Sequence, residues 1–529
     1  MGLTIFDIAV FLIFFAVVVG VSMYKSRREK TGEDFFLASR GLFWPIIGLS
    51  LIAANISTEH FVGMAGQGAG IAGMAIASYE WMAAIVLVFV ALFFLPKFLR
   101  AGIFTIPEYL EYRYNTTARA IMAVLTMFIY VLVTISTVLY SGGLTLQTLF
   151  GDLQNPSHLL YGILTIGTIA ALYTVWGGLK AVAWADLFQG SALIIGGAIT
   201  MYLGFKAIGV GNFFETNADR LHMILPKDHP VLPWTALVIG LWIPNFYYWG
   251  LNQYISQRTL AAKSLKQGQL GVIFAAFLKL IIPFIIIFPG IMALQLYKNQ
   301  MIGESGTDAA YPLLIRNLVG PGVRAFIFAA ISGAVISSLG SMLNSASTIF
   351  TMDLFKRHWY KDASQKTLLW TGRISTLAFV IIGGIIAYFL QKFPTGIFTY
   401  IQEFQGFISP GVLAAFLFGF VIKKAPGEAG VAALIVNLIV YSFLLVCFSG
   451  YEFFNKHGLS IGEIAFLNRM AISFIVIIVV MVIITIIKPL PKPRTMPVRK
   501  EFDMRPAPSV VWLGAVVIII TICLYIIFW

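Results

Sequence analysis

Charged residues are scarce in this chain, and their scarcity bounds its class before any motif is considered. Only 11% of the 529 residues are charged, whereas 59% are hydrophobic. A soluble globular domain carries about 25% charged residues, so this composition excludes a soluble enzyme or a soluble binding domain. Because a membrane helix needs about 20 apolar residues, the apolar runs have room for more than a dozen spans. We therefore expect an all-α integral membrane protein.

Cysteine and histidine are also rare. The chain has two cysteines, Cys447 and Cys523. Both lie in apolar runs, which excludes a disulfide framework and indicates packing positions. Five of the six histidines fall in predicted loops. No nucleophile, metal or cofactor motif accompanies the charged residues at membrane depth, so the sequence predicts a protein that is not an enzyme.

Acidic residues are outnumbered, and the excess of basic residues follows the membrane rather than a nucleic acid. The formal net charge is +13, but Lys and Arg cluster in short loops between apolar runs, as the positive-inside rule predicts. Assigning these loops to the inside puts both termini outside. The inside loops include residues 25–40 and 488–505 and carry Arg113, Arg119 and Arg258. We expect a lipid surrounding and no nucleic-acid partner, and the sequence indicates no oligomeric state.

The hydropathy pattern predicts fourteen spans with short connections. They are residues 3–24, 43–70, 74–96, 118–149, 158–176, 181–208, 233–257, 268–297, 322–352, 368–391, 396–421, 428–449, 463–487 and 508–528. No connection between them is long enough for a soluble domain.

The second span carries polar residues at a depth where hydrocarbon is expected. Within residues 43–81, Asn55, Ser57, Glu59 and His60 interrupt the apolar run, and a Gly-rich stretch follows. Polar groups at the bilayer midplane are tolerated where they line a cavity or contact protein. A helix that breaks there exposes backbone groups to a cation and a polar solute, as in secondary transporters. The alternative is a Gly-rich packing helix with a few interhelical hydrogen bonds.

The seventh span holds Pro244 and Asn245 near its middle. A mid-span proline lacks an N–H group and frees backbone carbonyls, so it predicts a second break. Interruptions five spans apart are the pattern of an inverted-repeat transporter. We predict one five-helix repeat at 43–208, a second and inverted repeat at 233–421, and peripheral helices at 1–24 and 428–529.

Further polar groups at membrane depth can face these breaks. Lys279 is an isolated charge in its span, and a midplane ammonium costs about 2.5–3.5 kcal/mol unless it is paired or hydrated. Glu80 is its natural partner, in a substrate site or in a purely structural pair. Ser337 and Ser338 offer hydroxyls that suit a hard monovalent cation, unless they bond back to their own helix. Gln402 can donate to and accept from the hydroxyls of a polyol.

Several motifs together resemble the solute:sodium symporter family, in its sodium/sugar branch. They are SLIAANIS, the YEW triplet, WGGLKAV, NFYYWGLNQYISQRTLAAK, FAAFLK, VISSLGSMLNSASTIFTMD and YIQEFQGFISPG, and they run over essentially the whole chain. The resemblance implies a LeuT-type core of five plus five helices in inverted repeats, with broken helices and about fourteen spans. It also implies a symporter that couples the entry of sodium ions to the uptake of a sugar.

The resemblance further implies roles for individual residues. The implied sugar contacts are Asn55, Glu80, Asn245, Lys279 and Gln402, with Tyr248 beneath the sugar as an inner gate. The implied hydrophobic walls and gates are Met64, Trp249 and Phe398. The implied sodium ligands are the carbonyl oxygens of Ala53, Ile56 and Ala334 and the hydroxyls of Ser337 and Ser338.

Two positions bear on the solute and on stoichiometry. Bacterial family members that carry galactose have Gln where this chain has His60, whereas animal glucose carriers have His at that position. In this chain His60 is either a sugar contact or a core histidine. Members with a second sodium use an acidic residue matching Asp186 together with two hydroxyls. One of those hydroxyl positions is Gly340 here, so we expect one sodium per sugar. Asp186 then serves as a way-station for the exiting sodium or caps its helix.

The sequence therefore predicts a sodium-coupled symporter of a bacterial inner membrane. Its expected solute is a neutral monosaccharide of the galactose or glucose type, taken up by alternating access. The alternative is a symporter of the same fold for myo-inositol or another polyol. The anionic Glu80 disfavours a carboxylate solute, which would require helix N-termini or arginine. A membrane sensor or a channel is less favoured.

Overall fold

The computed structural model describes residues 5–26, 32–57, 59–150, 156–301, 306–390, 397–494, 496–499 and 502–529. Over these residues the backbone is helical or forms short connections. Their only extended pairing is two isolated β-bridges, at Leu42 and Ser449. The predicted all-α class is confirmed.

Eighteen helices carry the architecture, some of them joined end to end. In chain order they are α1 (Ile5–Ser26), α2 (Trp44–Asn55), α3 (Glu59–Ala69), α4 (Gly73–Ala101), α5 (Ile106–Arg113), α6 (Thr116–Gln147), α7 (Ser157–Leu172), α8 (Gly178–Ile208), α9 (short helical turns over 236–251), α10 (Gln253–Leu260), α11 (Leu265–Tyr297), α12 (Val323–Ile349), α13 (Gln365–Leu390), α14 (Ile397–Gln405), α15 (Ser409–Val421), α16 (Gly427–Phe448), α17 (Phe466–Ile487) and α18 (Val510–Ile527). Gly178, with φ 51° and ψ −160°, marks the turn from α7 to α8. A π-helix, Phe350–Trp359, extends α12.

Ten of the described helices are long and apolar enough to cross a membrane, and α2 with α3 makes an eleventh if the pair is one span. The ten are α1, α4, α6, α8, α11, α12 with its extension, α13, α16, α17 and α18. The other predicted spans correspond to shorter or broken helices, namely α7, α9 with α10, and α14 with α15. The count of fourteen therefore stays a prediction.

The second predicted span is broken where its polar residues begin, as the sequence predicts. α2 ends at Asn55, and Ile56 is extended with φ −77° and ψ 101°. α3 then runs at 58° to α2. Gly290 of α11 passes so close to α3 that a β-carbon on it would lie 2.2 Å from the Ala65 carbonyl oxygen. Close packing against α11 therefore fixes the second half-helix.

The break predicted at Pro244 and Asn245 is wrong in position. Pro244 lies inside α9, and the backbone stays helical on both sides of it, at Leu241 (φ −73°, ψ −23°) and at Tyr247 (φ −61°, ψ −53°). The chain instead breaks at Asn252, which is extended with φ −80° and ψ 123°. Tyr130 of α6 satisfies this break, since its hydroxyl donates to the Asn252 side-chain oxygen and accepts from the Tyr254 N–H at 3.1 Å.

A third break interrupts the predicted eleventh span between α14 and α15. Asn437 of α16 donates to the freed carbonyls of Gly406 and Phe407, at 3.2 and 2.7 Å. The Tyr441 hydroxyl donates to the Glu403 carbonyl at 3.0 Å. A β-carbon on Gly406 would lie 2.0 Å from the Tyr441 ring, so only glycine fits at this bend.

α12 lies at the centre of the molecule. Together with its extension it contains an 18-residue apolar stretch of which 94% is buried. Small residues on its neighbours allow this packing. A β-carbon on Gly142 of α6 would lie 2.6 Å from Val335, and one on Gly196 of α8 would lie 3.1 Å from Ile327. Helices that meet through small residues approach closely, as membrane helices commonly do.

Three arginines that the sequence assigns to inside loops are buried in the structure. Arg258, Arg113 and Arg119 are 0%, 4% and 8% exposed. Arg113 donates to the carbonyls of Gly419 and Ala425 at the end of α15, where a helix end favours a cation. The outside location of both termini remains a prediction.

Candidate functional site

A buried ionic cluster lies beside the first break. Lys279, near the middle of α11, is 0% exposed. Its ammonium donates to a carboxylate oxygen of Glu80 on α4 and to the side-chain oxygen of Asn55 at the end of α2. The Trp249 ring of α9 lies 4.7 Å from Nζ, measured to the centroid. A buried charge is stable when it is both paired and hydrogen bonded, and the pairing of Lys279 with Glu80 is confirmed.

Packing between α4 and α11 sets the register of this pair. The indole N–H of Trp81, next to Glu80, donates to the Leu280 carbonyl, next to Lys279, at 3.3 Å. On its other side Trp81 contacts Tyr525 and Phe528 of the last helix, with ring centroids 5.8 and 5.9 Å away. α18, predicted as a peripheral helix, therefore supports the cluster directly.

His60, at the start of α3, joins the cluster through Glu80. Its Nε2 lies 3.3 Å from Oε1 of Glu80, while Lys279 holds the other carboxylate oxygen. Nδ1 of His60 is buried and has no partner among the described residues. An imidazole with one engaged nitrogen keeps the other for a second hydrogen bond. The first turn of α3 therefore offers one polar atom beyond the ion pair.

Tyr248 closes the other side of Asn55. The Asn55 side-chain amide donates to the Tyr248 hydroxyl at 3.0 Å, and the Tyr254 hydroxyl donates to the same oxygen at 2.6 Å. Asn55 thus links Lys279 to Tyr248, and through Tyr254 to the break held by Tyr130. The two broken spans meet in one hydrogen-bonded network.

Other predicted site residues lie outside this network. Asn245 is buried on α9, where its amide donates to the Leu241 carbonyl of its own turn at 3.0 Å. Gln402 is partly buried on α14, a helix that packs against the first turn of α3. Met64 is buried at the end of that turn. The side chain of Phe398, the remaining predicted gate, is outside the described part of the structure.

The predicted sodium ligands converge on the end of α2. The Ser338 hydroxyl of α12 lies 3.3 Å from the Ala53 carbonyl and 3.1 Å from that of Ala54. The Ser337 hydroxyl is buried without a partner in the described residues. Ile56 and Ala334, whose carbonyls complete the predicted set, are also buried. The Ala54 carbonyl is an oxygen that sequence reasoning missed, because no side chain marks it.

These oxygens suit an alkali cation better than a transition metal. Hydroxyls and backbone carbonyls are neutral, hard ligands, of the type that broken membrane helices present to sodium ions. Among the described residues, no group of three or more His, Cys, Asp or Glu side chains is placed to hold a metal ion.

Asp186 is not at a helix end and does not cap one. It lies within α8, is 0% exposed, and its Oδ2 is 3.0 Å from Arg258 Nη2 of α10. Ser50 of α2 donates to the same carboxylate, and Arg258 donates to Ser341 of α12. Four helices therefore meet at one ion pair.

Sequence reasoning missed Arg258 as a site residue because the nearby Lys263 and Lys266 make it look like part of a basic loop. A buried aspartate without an assigned partner is the only signal that points to it. Both Asp186 oxygens are buried, and Oδ1 has no partner in the described residues.

The family relationship comes from sequence comparison. The model of the family described as "Sodium:solute symporter family" matches residues 35–437. The sodium/glucose cotransporter of Vibrio parahaemolyticus is 42% identical over 472 residues, which cover 84% of this chain and 86% of the relative. The sodium/myo-inositol cotransporter 2 of Mus musculus is 33% identical over 472 residues, covering 82% of this chain and 69% of the relative.

The fold has a solved counterpart in a sodium-coupled sialic acid symporter in its substrate-bound, outward-open state. The two chains superpose with a TM-score of 0.79 at 22% identity, covering 93% of this chain and 99% of the other. This likeness confirms the predicted LeuT-type architecture. It leaves the fourteen-span count and the repeat boundaries as predictions.

Family, fold and site agree on the broad activity. The protein is an integral multi-pass membrane protein and a sodium-coupled solute symporter, with Na⁺ as the co-transported ion. Its relatives are transporters and not enzymes. The match to residues 35–437, together with relatives above 30% identity over most of the chain, is decisive. The chain belongs to the sodium:solute symporter family.

Proposed function

We propose that this symporter takes up a neutral monosaccharide of the galactose or glucose type by alternating access. The observation that carries the proposal is the closed cluster of Lys279, Glu80 and Asn55 beside Tyr248 and Trp249. We further propose that the protein works in a bacterial inner membrane with both termini outside.

The charge balance of the cluster supports a neutral solute. Lys279 and Glu80 neutralise each other, so the pocket offers donors and acceptors without a net charge. A carboxylate solute would need a cation that is not already paired. Sugar hydroxyls both donate and accept, which matches an ammonium, a carboxylate and an amide side by side. Trp249 and Tyr248 add aromatic faces for the apolar side of a ring.

The proposed sugar contacts extend beyond the observed network. Asn55, His60, Glu80, Lys279 and Tyr248 form its central part. Asn245 and Gln402 are added on the assumption that α9 and α14 approach the sugar when the pathway closes around it. We propose Met64, Trp249, Tyr248 and Phe398 as the hydrophobic gates on either side.

Sodium coupling follows from the shared position of the two sites. The sodium ligands would be the carbonyls of Ala53, Ile56 and Ala334 and the hydroxyls of Ser337 and Ser338. Asn55 lies among them in sequence, so a cation that orders the end of α2 also orders this sugar contact. A ligand shifts a conformational equilibrium by its differential affinity for the two states, and the coupling is reciprocal. Asp186 is proposed as a later station on the exit route of the ion.

A polyol such as myo-inositol is the second candidate. It is supported by the 33% identity to a relative named for myo-inositol transport. The same donors and acceptors fit a ring of hydroxyls with or without a ring oxygen, so the cluster does not distinguish the two solutes.

Uptake into proteoliposomes tests the proposal. Labelled galactose, glucose, myo-inositol and an amino acid are offered under an inward Na⁺ gradient, with a K⁺ gradient of the same size as control. We expect concentrative uptake of a monosaccharide with Na⁺ only. Lys279→Gln should abolish it, because that variant removes the charge that Glu80 and Asn55 hold. Uptake of the amino acid alone, or uptake that never exceeds equilibrium, would contradict the proposal.

A further inference from the structure

Another buried ion pair lies away from the cluster around Lys279 and has no part in it. Glu403 on α14 and Arg469 on α17 are 5% and 4% exposed, and Arg469 Nη2 donates to the Glu403 carboxylate. Tyr451 donates to the other carboxylate oxygen. Two further Arg469 groups, Nε and Nη1, are buried without partners among the described residues.

This pair attaches a short helix to α17. α14 has only nine residues, and helices this short are marginal without tertiary contacts. The break at 406–408 separates it from α15. Asn437 and Tyr441 secure the broken end through backbone carbonyls, whereas Arg469 and Tyr451 hold α14 by a side chain within its last turn. α14 is thus a separate element held by α16 and α17.

The opposite contacts of α14 connect it to the transport pathway. α14 packs against the first turn of α3, which carries His60. Gln402, the proposed sugar contact, directly precedes Glu403 in the chain. Successive residues of an α-helix project about 100° apart. A rotation or shift of α14 that releases Glu403 must therefore also displace Gln402.

We propose that Arg469 and Glu403 form a latch that fixes α14 and thereby positions Gln402 for the sugar. Arg469 is a positioning residue that acts through Glu403 and does not touch the solute. The positioning role depends on the proposed function, whereas the latch itself does not.

The latch is tested without any sugar. In a Cys447→Ser, Cys523→Ser background, Tyr400→Cys reports on α14 through its rate of reaction with a maleimide in purified, detergent-solubilised protein. Arg469→Gln and Glu403→Gln should each raise this rate about tenfold or more, because α14 leaves its packed position more often. A wild-type labelling rate in Arg469→Gln would overturn the latch.

The positioning role is tested by uptake kinetics. Arg469→Gln should raise the KM for the transported sugar about tenfold while the maximal rate changes by less than about twofold, as expected for a lost binding contact. The exchanged pair, Glu403→Arg with Arg469→Glu, should bring KM and labelling rate back toward wild type. An unchanged KM beside a raised labelling rate would overturn the positioning role.

Two controls distinguish the loss of the latch from a general loss of stability. Lys488→Gln breaks an exposed ion pair between Lys488, directly after α17, and Glu428 of α16, and should alter neither readout. If Arg469→Gln fails to insert, Glu403→Gln with Arg469→Gln leaves no buried charge and carries the same expectations. If wild-type protein transports no sugar on the panel, the proposed function fails while the labelling result still decides the latch.

Discussion

At the scale of single residues, the hydroxyl of Ser338 offers the most direct test of the proposed cation site. It bonds to the Ala53 and Ala54 carbonyls at the end of α2. Ser338→Ala should raise the Na⁺ concentration for half-maximal uptake about tenfold or more, since one ligand is lost. Ser347→Ala is a matched control, because the Ser347 hydroxyl donates to the Asn344 carbonyl of its own helix, at 2.9 Å. An unchanged Na⁺ dependence in Ser338→Ala would remove this serine from the site.

A second residue, Asp308, gives the connection between α11 and α12 a dependence on pH. Its carboxylate lies close to α3, where a β-carbon on Gly66 would be 2.6 Å from Oδ1. Burial raises the pKa of Asp308 from 3.8 to about 6. The folded pKa lies above the unfolded value, so stability is lost as the pH rises from about 4 to about 6 and the partly buried group ionises.

Ionisation of Asp308 therefore lowers the free energy of unfolding by roughly 3 kcal/mol at most. Asp308→Asn should match the wild type below about pH 4 and unfold at a higher temperature above about pH 6. Thermal unfolding in detergent across this range measures it, with the exposed Asp219→Asn as control. Parallel stability curves for wild type and Asp308→Asn would show that the carboxylate is not buried against α3.

At the scale of elements, the break at Asn252 depends on the hydroxyl of Tyr130, which lies far from it in the sequence. Tyr130→Phe removes the donor to Asn252 and the acceptor for the Tyr254 N–H. An unsatisfied buried group costs about 1–3 kcal/mol. We expect a lower unfolding temperature and slower uptake, because α10 and the Tyr254–Tyr248 contact lose their anchor.

The comparison for Tyr130→Phe is Tyr114→Phe. The Tyr114 hydroxyl bonds to the Ala415 carbonyl at 2.7 Å, away from the break. Its loss should lower the unfolding temperature without a comparable effect on the uptake rate. Equal effects of the two substitutions on uptake would contradict a special role for the break.

The same break shows why sequence patterns predict some elements and misplace others. Asn55, Glu59 and His60 are polar within an apolar run, so the first break is visible locally. Asn252 is held by a tyrosine 122 residues away in the chain, and no local pattern carries that contact. Pro244 gave a strong local signal, but the backbone on both sides of it stays helical.

Charges show the same division between local and long-range information. The isolated Lys279 required a partner at membrane depth, and Glu80 was the natural choice. Arg258 stands next to Lys263 and Lys266, and its neighbours make it look like part of a loop. Only the folded chain brings it to Asp186 and Ser341. Similarly, Arg469 and Glu403 are 66 residues apart, and neither appears in a motif that marks a pair.

At the scale of the whole molecule, the open question of function is stoichiometry. We predict one Na⁺ per sugar, because Gly340 lacks the hydroxyl of a second site and Arg258 already occupies the Asp186 carboxylate. Each transported charge adds about 2.3 kcal/mol per 100 mV of membrane potential. The reversal potential of sugar-coupled current, at imposed Na⁺ and sugar gradients, measures the ratio. A value that fits two Na⁺ per sugar would refute the prediction.

The ion pair of Lys279 and Glu80 also bears on what the transporter does when it carries nothing. A carrier must return its empty site across the membrane to begin the next cycle, and a bare ammonium there would make that step slow. In this chain Glu80 neutralises the Lys279 ammonium from within, and Asn55 and Trp249 complete its contacts. A solute that binds there, as we propose, would exchange hydrogen bonds with the protein rather than add new ones, which favours rapid release and a fast empty return over tight binding.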